Sequence, residues 1–358
     1  MIGTEGKTKI MLQGGAGGRG PGAKRDGFYN PAMSLDRELC VLFCRYAVKK
    51  GCRKFLDGLG ATGVRGIRIA NEVGGKEHLE VHINELNPAS YELINKNASL
   101  NNVDVTVING DLKSLHRSKY DYVDIDPYGS PAPFALHAFE MMRNKGFAAF
   151  TATDKATLCG VYRKACIRRY GAVPMHGDGM KEIGLRILIG FLVRTAAVLD
   201  YGAYPVFSYS HDHYFRVYLR VEKGAGKGSS AMENMGWISR NGGWGTAKFD
   251  DRRGDTWAGP LWIGALNDKD VVDFMAEEAE SERAKKLMNT IGGEIQVPMY
   301  YESSAICRRL GMVQPKLSDV IEKLRGKSFL ASRTHFSHDG FKTDASREEI
   351  EEVFRELG

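Results

Sequence analysis

The stretch Val123 to Pro131 reads Val-Asp-Ile-Asp-Pro-Tyr-Gly-Ser-Pro, so an acid, a proline and an aromatic ring follow directly on an apolar run. Open α/β sheets bind their ligands at such strand ends. A corner of this kind suits the methylation of an exocyclic amine on a nucleobase. That amine is a weak nucleophile, because its lone pair is delocalised into the ring. It needs acceptors for its hydrogens, and the base needs a flat partner to stack on. Asp126, the carbonyl of Pro127 and the ring of Tyr128 can supply all of these within three residues.

A second constellation lies upstream. Phe55 to Gly63 orders a strand, a glycine turn and a helix start, with Asp57 closing the strand and Gly58, Gly60 and Gly63 forming a G-x-G-x-x-G run. Glycines let the backbone approach a ligand and turn tightly into a helix. The same run serves nicotinamide, flavin and S-adenosylmethionine cofactors. Further residues narrow the choice. Glu85 ends the next strand, about twenty residues on, where an acid can bind ribose hydroxyls. Asn109-Gly110-Asp111 ends the third strand, where an acid can meet the adenine amine. The fourth strand carries the Asp126 corner, which a dehydrogenase does not need. Glycine turn, acid, acid and reaction corner on four successive strands form a methyltransferase layout.

The elements that must hold these residues alternate. Strands are expected at 54–56, 79–84, 103–108, 122–125 and 147–153, and helices at 63–71, 88–100, 133–142 and 181–199, with a last strand at 214–222. An amphipathic helix from Pro31, with Leu35, Leu39, Leu42, Phe43 and Tyr46 near helical spacing, precedes them. Alternation of this kind predicts an α/β fold: a Rossmann-like, doubly wound and mostly parallel sheet with helices on both faces. Gly14 to Gly27 is Gly-rich and basic and reads as a loop. The Gly/Ser/Lys stretch 223–230 reads as a linker between a methyltransferase domain, residues 1–222, and a smaller α+β domain, residues 231–358. Within the latter, Tyr300 to Phe336 has the order helix, turn, helix and then a β-pair around Gly340, a winged-helix-like pattern. A final acidic helix over 347–357 is expected on the surface.

Composition fits this architecture. With 358 residues, 43% hydrophobic and 26% charged, the chain has the length and make-up of an ordinary two-domain globular protein. Its most apolar window, Ile187 to Leu199, is too short to span a membrane and contains Arg194. Met1 to Lys9 is polar with no apolar core behind it, so no secretory leader is expected. The six cysteines include no Cys-x-x-Cys pair and read as reduced thiols of a cytoplasmic protein. The net charge of +6 is modest, but the basic residues cluster. Eight lie between Glu302 and Lys342, among them Arg308, Arg309 and Arg333, against four acids. Arg163, Lys164, Arg168 and Arg169 form a second group on the helix expected after the corner. Such clusters suit a polyanionic partner; a solvated helix face is the plainer alternative.

The chain resembles the archaeal and eukaryotic tRNA (guanine-26-N2)-dimethyltransferases. The resemblance rests on separate blocks running in order along nearly the whole chain. They include Phe28-Tyr-Asn-Pro-Ala-Met33 with Asp36-Arg37-Glu38-Leu39, Gly63-Val-Arg65-Gly-Ile-Arg68, Asn87-Pro88, and Asp126 to Phe134. Further blocks are Thr151 to Asp154, Glu182 to Ile187, His213-Tyr-Phe-Arg-Val217, Gly259 to Trp262, and Ala331 to Phe336. The resemblance implies an S-adenosyl-L-methionine-dependent enzyme acting on the N2 amine of G26 in tRNA, with no membrane and no obligate protein partner. It implies cofactor-binding roles for Arg37, Arg65, Glu85, Asp111 and Leu112. Asp126 falls on the family's catalytic acid, and Phe28 and Tyr128 on aromatics that would sandwich the guanine. Arg163, Lys164, Arg168 and Arg169, with Arg308, Arg309 and Arg333 of a tRNA-binding domain over 231–358, would track the RNA backbone.

Two departures stand out. Glu85 is more often Asp in similar enzymes, and either acid can accept ribose hydroxyls. Many relatives also carry Cys-x-x-Cys zinc ligands after the linker, whereas this chain has Met232-Glu-Asn-Met235 there and no cysteine between Cys166 and Cys307. Structural zinc needs thiolate or imidazole ligands, so no metal is expected. Two other readings stay open on sequence alone. One is a methyltransferase for another nucleobase or a protein amide; the other is a non-catalytic RNA-binding protein on a methyltransferase scaffold.

Overall fold

The computed structural model describes residues 1–12, 28–74, 78–251 and 256–358, so the Gly-rich stretch from Gly14 to Gly27 lies outside the described residues. A hairpin of β1 (Ile2–Glu5) and β2 (Thr8–Met11) precedes helix α1 (Ser34–Lys49). Alternation then begins with β3 (Lys54–Asp57), α2 (Val64–Glu72), β4 (Glu80–Glu85), α3 (Pro88–Leu100) and β5 (Thr106–Asn109). It continues through β6 (Tyr120–Ile125), α4 (Ala135–Glu140) and β7 (Met142–Ala152). Helices α5 (Lys155–Leu158), α6 (Arg163–Tyr170) and α7 (Met180–Ala197) lead to β8 (Tyr201–His211) and β9 (Tyr214–Lys223).

Seven of these strands form one sheet in the order β5-β4-β3-β6-β7-β9-β8. The first five run parallel, and β9 is antiparallel to both β7 and β8. Strand order reverses between β3 and β6, which makes their carboxyl ends the crevice of the sheet. Local sequence sets up this edge. Asn87 accepts the Ala89 and Ser90 N–H groups, and Pro88 opens α3, so the helix starts sharply after β4. Period-two alternation along β6 sends Val123 and Ile125 into one core with α4 and α7. Tyr122 and Asp124 face the other side, where α1, α9 and α10 pack.

The chain continues through α8 (Ala225–Met232), β10 (Met235–Ser239), β11 (Gly245–Lys248), β12 (Trp257–Trp262), α9 (Lys269–Glu278) and α10 (Glu282–Gly292). Last come β13 (Tyr301–Glu302), α11 (Ser303–Leu310), α12 (Leu317–Gly326), β14 (Ala331–Arg333), β15 (Gly340–Thr343) and α13 (Arg347–Leu357). Helices α11 and α12 followed by the β14–β15 hairpin give the winged-helix-like order, with β13 completing a three-stranded sheet.

Three features differ from the sequence reading. Strand β8, which that reading left out, is the edge of the sheet, where Pro205 costs no ladder hydrogen bond toward a neighbour. Residues 225–230, read as part of a linker, belong to helix α8, which packs against β8 and α7. Helix α13 buries Ile350, Val353 and Phe354 in the winged unit's own core, because its apolar stripe recurs at helical spacing while the acids face water. The two larger cores also run past residue 231: Val271, Met275, Met288 and Ile291 pack with α1, and Met299, Tyr300 and Phe336 with α7.

Candidate active site

The glycine turn after β3 is held by its own backbone. Gly58 N–H donates to the Asp124 carbonyl at 2.9 Å, and Gly60 N–H donates to that of Asn84 at 2.9 Å. The turn thereby reaches both neighbouring strands. Close approach explains the residue type: a Cβ on Gly58 would lie 2.9 Å from the Asp124 oxygen, and one on Gly60 2.5 Å from Ile83 Cγ2. Gly63 opens α2 with φ of +76°, a region that favours glycine. Asp57 points inward, accepting the Gly66 N–H at 3.0 Å, and burial pushes its carboxyl up to about 7. It anchors the helix start rather than facing the crevice.

Glu85 leaves β4 with its carboxylate folded back on the turn, accepting Ala61 N–H at 2.8 Å and Asn87 N–H at 2.8 Å. Asp111 is exposed beyond β5 and accepts Lys113 N–H at 3.0 Å. Leu112 is buried beside it, and its Cδ1 lies 3.1 Å from where a Gly58 Cβ would stand. These groups therefore line one crevice along the ends of β3, β4 and β5. Arg37 is engaged elsewhere. Its Nε and Nη2 donate to Glu5 at 2.6 and 2.5 Å, Nη2 also reaches the Asn30 carbonyl, and the guanidinium lies over the Tyr29 ring.

The reaction corner adjoins this crevice. Pro127 is buried, Asp126 is half-buried and Tyr128 is 57% exposed, so the ring is available to a planar partner. Burial raises the Tyr128 hydroxyl well above its ordinary value, with the Glu85 and Asp126 charges adding to the effect. Phe28 contacts Tyr128 edge to face with ring centroids 4.9 Å apart. The two aromatics expected to sandwich the guanine thus touch each other directly, as a closed pair with no slot between them.

Beneath Asp126 lies a buried ionic network that the sequence reading missed. Arg65, the Asp126 partner, also donates to Asp36 Oδ2 at 2.7 Å and approaches Asp124 Oδ1 at 3.7 Å. Arg216 of β9 grips Asp124 through both Nη atoms, at 3.0 and 2.5 Å, and donates to Thr151. Tyr209 donates to Asp36 and Tyr122 to Asp124. Asp36, Asp124 and Arg216 have no exposed surface at all. Burial would raise the Asp124 carboxyl, but the Arg216 and Arg65 guanidiniums hold it down at about 2. Two signals in the sequence pointed here: an acid two residues before Asp126, hence on the same strand face, and a lone arginine inside the apolar run Tyr214 to Leu219.

The donor set fits a cofactor with an anionic end. Arg65 Nη1 is buried and has no hydrogen-bond partner, an orphaned donor beside the glycine turn. Among the described residues, no group of three or more His, Cys, Asp or Glu could hold a metal ion. The six cysteines are buried and unpaired.

The basic residues split in two. Helix α6 sits against the corner, because Tyr170 at its end hydrogen-bonds Ser130 Oγ at 2.7 Å and Asp154 at 2.8 Å. Arg163, Lys164, Arg168 and Arg169 are exposed on it, next to exposed Val161 and Tyr162, two residues the sequence reading overlooked. Arg169 pairs with Asp154 at 3.1 Å. Arg308, Arg309 and Arg333 are exposed on the winged unit, where Arg309 pairs with Glu351 at 2.8 Å.

With the glycine turn and the acid corner meeting at its switch point, the sheet is that of a Rossmann-like methyltransferase. Comparison with known proteins narrows the class. The chain belongs to the N2,N2-dimethylguanosine tRNA methyltransferase family, whose model matches residues 21–355. It is 38% identical to the tRNA (guanine(26)-N(2))-dimethyltransferase of Thermococcus kodakarensis, covering 92% of this chain and 93% of the relative. The Pyrococcus horikoshii enzyme of the same name is 36% identical, with 92% of both chains covered. A solved structure of Trm1 from Pyrococcus horikoshii with S-adenosyl-L-methionine superposes with a TM-score of 0.90 at 34% identity, covering 99% of each chain.

Proposed function

We propose that this chain methylates the N2 amine of guanosine 26 in tRNA, once or twice, with S-adenosyl-L-methionine as methyl donor. The observation that carries the chemistry is Asp126, half-buried at the strand-order reversal, paired with Arg65 and followed by the exposed ring of Tyr128. Family membership supports the substrate and the atom. The cofactor supplies an activated methyl group. Gly58, Gly60 and Gly63 let it approach the backbone, Glu85 and Asp111 offer carboxylates for its ribose and adenine, Leu112 is the apolar floor, and Arg65 Nη1 is the free donor. In this reading Arg37 acts through Glu5, which braces α1 against α2 by way of Arg68 at 3.0 Å.

Asp126 and the Pro127 carbonyl accept the two N2 hydrogens, and the proton released as the N–C bond forms goes to Asp126. Arg65 keeps that carboxylate aimed. Because the cofactor would bring an already activated methyl group, the chain's own residues would contribute chiefly by positioning the amine. The singly methylated amine retains one hydrogen, which Asp126 can accept again. A base entering from the tRNA stack parts the Phe28–Tyr128 pair and stacks on it, offsetting some of the few kcal/mol spent on unstacking. The basic face of α6, with Tyr162, lies where the flanking RNA backbone would run.

Methyl transfer from labelled S-adenosyl-L-methionine to an unmodified tRNA transcript tests this, with nucleosides identified afterward. Label should appear in N2-methylated guanosine and vanish both with Asp126→Ala and with a G26-to-A transcript. Label that survives the transcript change would reject the site, and loss of cofactor binding in Asp126→Ala would make that acid structural.

A further inference from the structure

We infer that the cleft between α10 and the β14 edge of the winged unit is a binding site for phosphodiester groups of the RNA backbone, remote from the reacting base; this rests on the tRNA reading above. The cleft is a cavity of about 570 Å³. Lys285, Lys286 and Asn289 line it from α10, Arg325 and Arg333 from the winged unit, and Glu282 is the sole carboxylate on its wall. Lys285 lies 3.4 Å from Glu282, whereas Lys286 and Arg333 have no side-chain partner among the described residues. Arg325, which lines the cleft, is held by its Nε–H bond to the Ala331 carbonyl at 2.9 Å, and its terminal nitrogens have no partner among the described residues. Two guanidinium forks, two ammonium groups and a neutral amide match singly charged oxyanions repeated along a chain.

The walls are built, not incidental. Ser332 Oγ accepts Ile295 N–H at 3.1 Å, and buried Glu294 accepts His335 N–H and Nδ1–H, each at 2.6 Å. His335 Nε2 in turn accepts Ser210 N–H at 3.2 Å. This bolts the strand carrying Arg333 to the end of β8. Register across the sheet puts Ser210 opposite Phe215 and Phe215 opposite Ala152, two residues past the partner of Ile125. The end of β8 therefore lies at the same edge of the sheet as Asp126, about 14 Å away across three strand spacings, and the cleft stands farther out by the run from Ser210 to Arg333. One RNA can present a base at the corner and a phosphate here. Neither the α6 face nor Arg308 and Arg309 contributes to this cavity.

The test is Lys286→Ala/Arg333→Ala in the full chain, both side chains being exposed. Affinity for an unmodified tRNA transcript is measured across a salt series, with S-adenosyl-L-methionine affinity and the unfolding midpoint in parallel. The expected result is roughly ten-fold weaker tRNA binding at low salt and a log–log salt slope smaller by about 2, with cofactor affinity and midpoint unchanged. Wild-type tRNA binding with the same affinity and slope in the variant would overturn the cleft alone. Wild type that binds cofactor but no tRNA would overturn the substrate reading and the cleft with it. A polyglutamate that displaces tRNA from wild type but not from the variant would reassign the cleft to an acidic protein segment and likewise overturn the proposal.

Discussion

Replacing Arg216 with methionine should cost about 3–5 kcal/mol of stability, the range for breaking a buried ion pair on one side. The structure explains why the upper part of the range applies. Asp124 is fully buried and draws on Arg216 for two hydrogen bonds; without them it keeps the Tyr122 hydroxyl, the Cys40 thiol at 3.6 Å and Arg65 at 3.7 Å. Arg65 would then serve three carboxylates, Asp36, Asp124 and Asp126, the first two with no solvent exposure at all. Activity should fall with stability, because a guanidinium drawn toward Asp124 no longer aims Asp126. The assay is urea unfolding of wild type, Arg216→Met, Asp124→Asn and the double variant, with methyl transfer on each folded species. Removing both charges spares the network an uncompensated ion, so the double variant should be more stable than the summed single costs by at least about 2 kcal/mol. Costs that add to within about 0.5 kcal/mol, or an Arg216→Met loss below about 1 kcal/mol, would refute the reasoning.

The glycine turn gives two further outcomes. Gly63→Ala should destabilise by about 2–4 kcal/mol in denaturant titration, combining left-handed strain with overpacking, since its Cβ would meet Ile94 Cγ2 at 2.9 Å; a loss under about 1 kcal/mol would show that α3 yields. Asp57 titrates near 7 in the folded chain against an ordinary 3.8, so the native state holds a proton that the unfolded chain has released across that window. Its contribution to stability is intact below about pH 4 and declines by roughly 1.4 kcal/mol per unit up to about pH 7. Asp57→Asn, whose amide oxygen can still accept the Gly66 N–H, should therefore gain on wild type as pH rises from 4 to 7, then hold level; a stability difference independent of pH would contradict this.

Local pattern carried much of this protein. Alternating strand and helix, glycines at Gly58, Gly60 and Gly63, acids at Glu85 and Asp111 and the Asp126 corner are all legible in sequence, because strand ends, tight turns and helix starts each impose residue types over a few positions. The winged unit was legible for the same reason. Strand β8 was not, since an edge strand with a glycine and a proline lacks the regular pattern of an inner one. Nor was helix α8, whose Gly/Ser composition reads as loose chain until packing against β8 holds it.

Tertiary structure alone decided which charges meet. Asp36, Arg65, Asp124 and Arg216 come from α1, α2, β6 and β9, and Tyr209 and Asp36 lie 173 residues apart in the chain. Pairing over such distances depends on how the helices dock on the sheet, and no periodicity records it. The same holds for Arg37, turned onto Glu5 of the first hairpin, and for Phe28, brought against Tyr128 across a hundred residues. Residue types and spacing determined what chemistry the strand ends could support. Packing determined which groups are buried together, and so which acid is matched within the interior and which one, Asp126, is left partly open at the strand end.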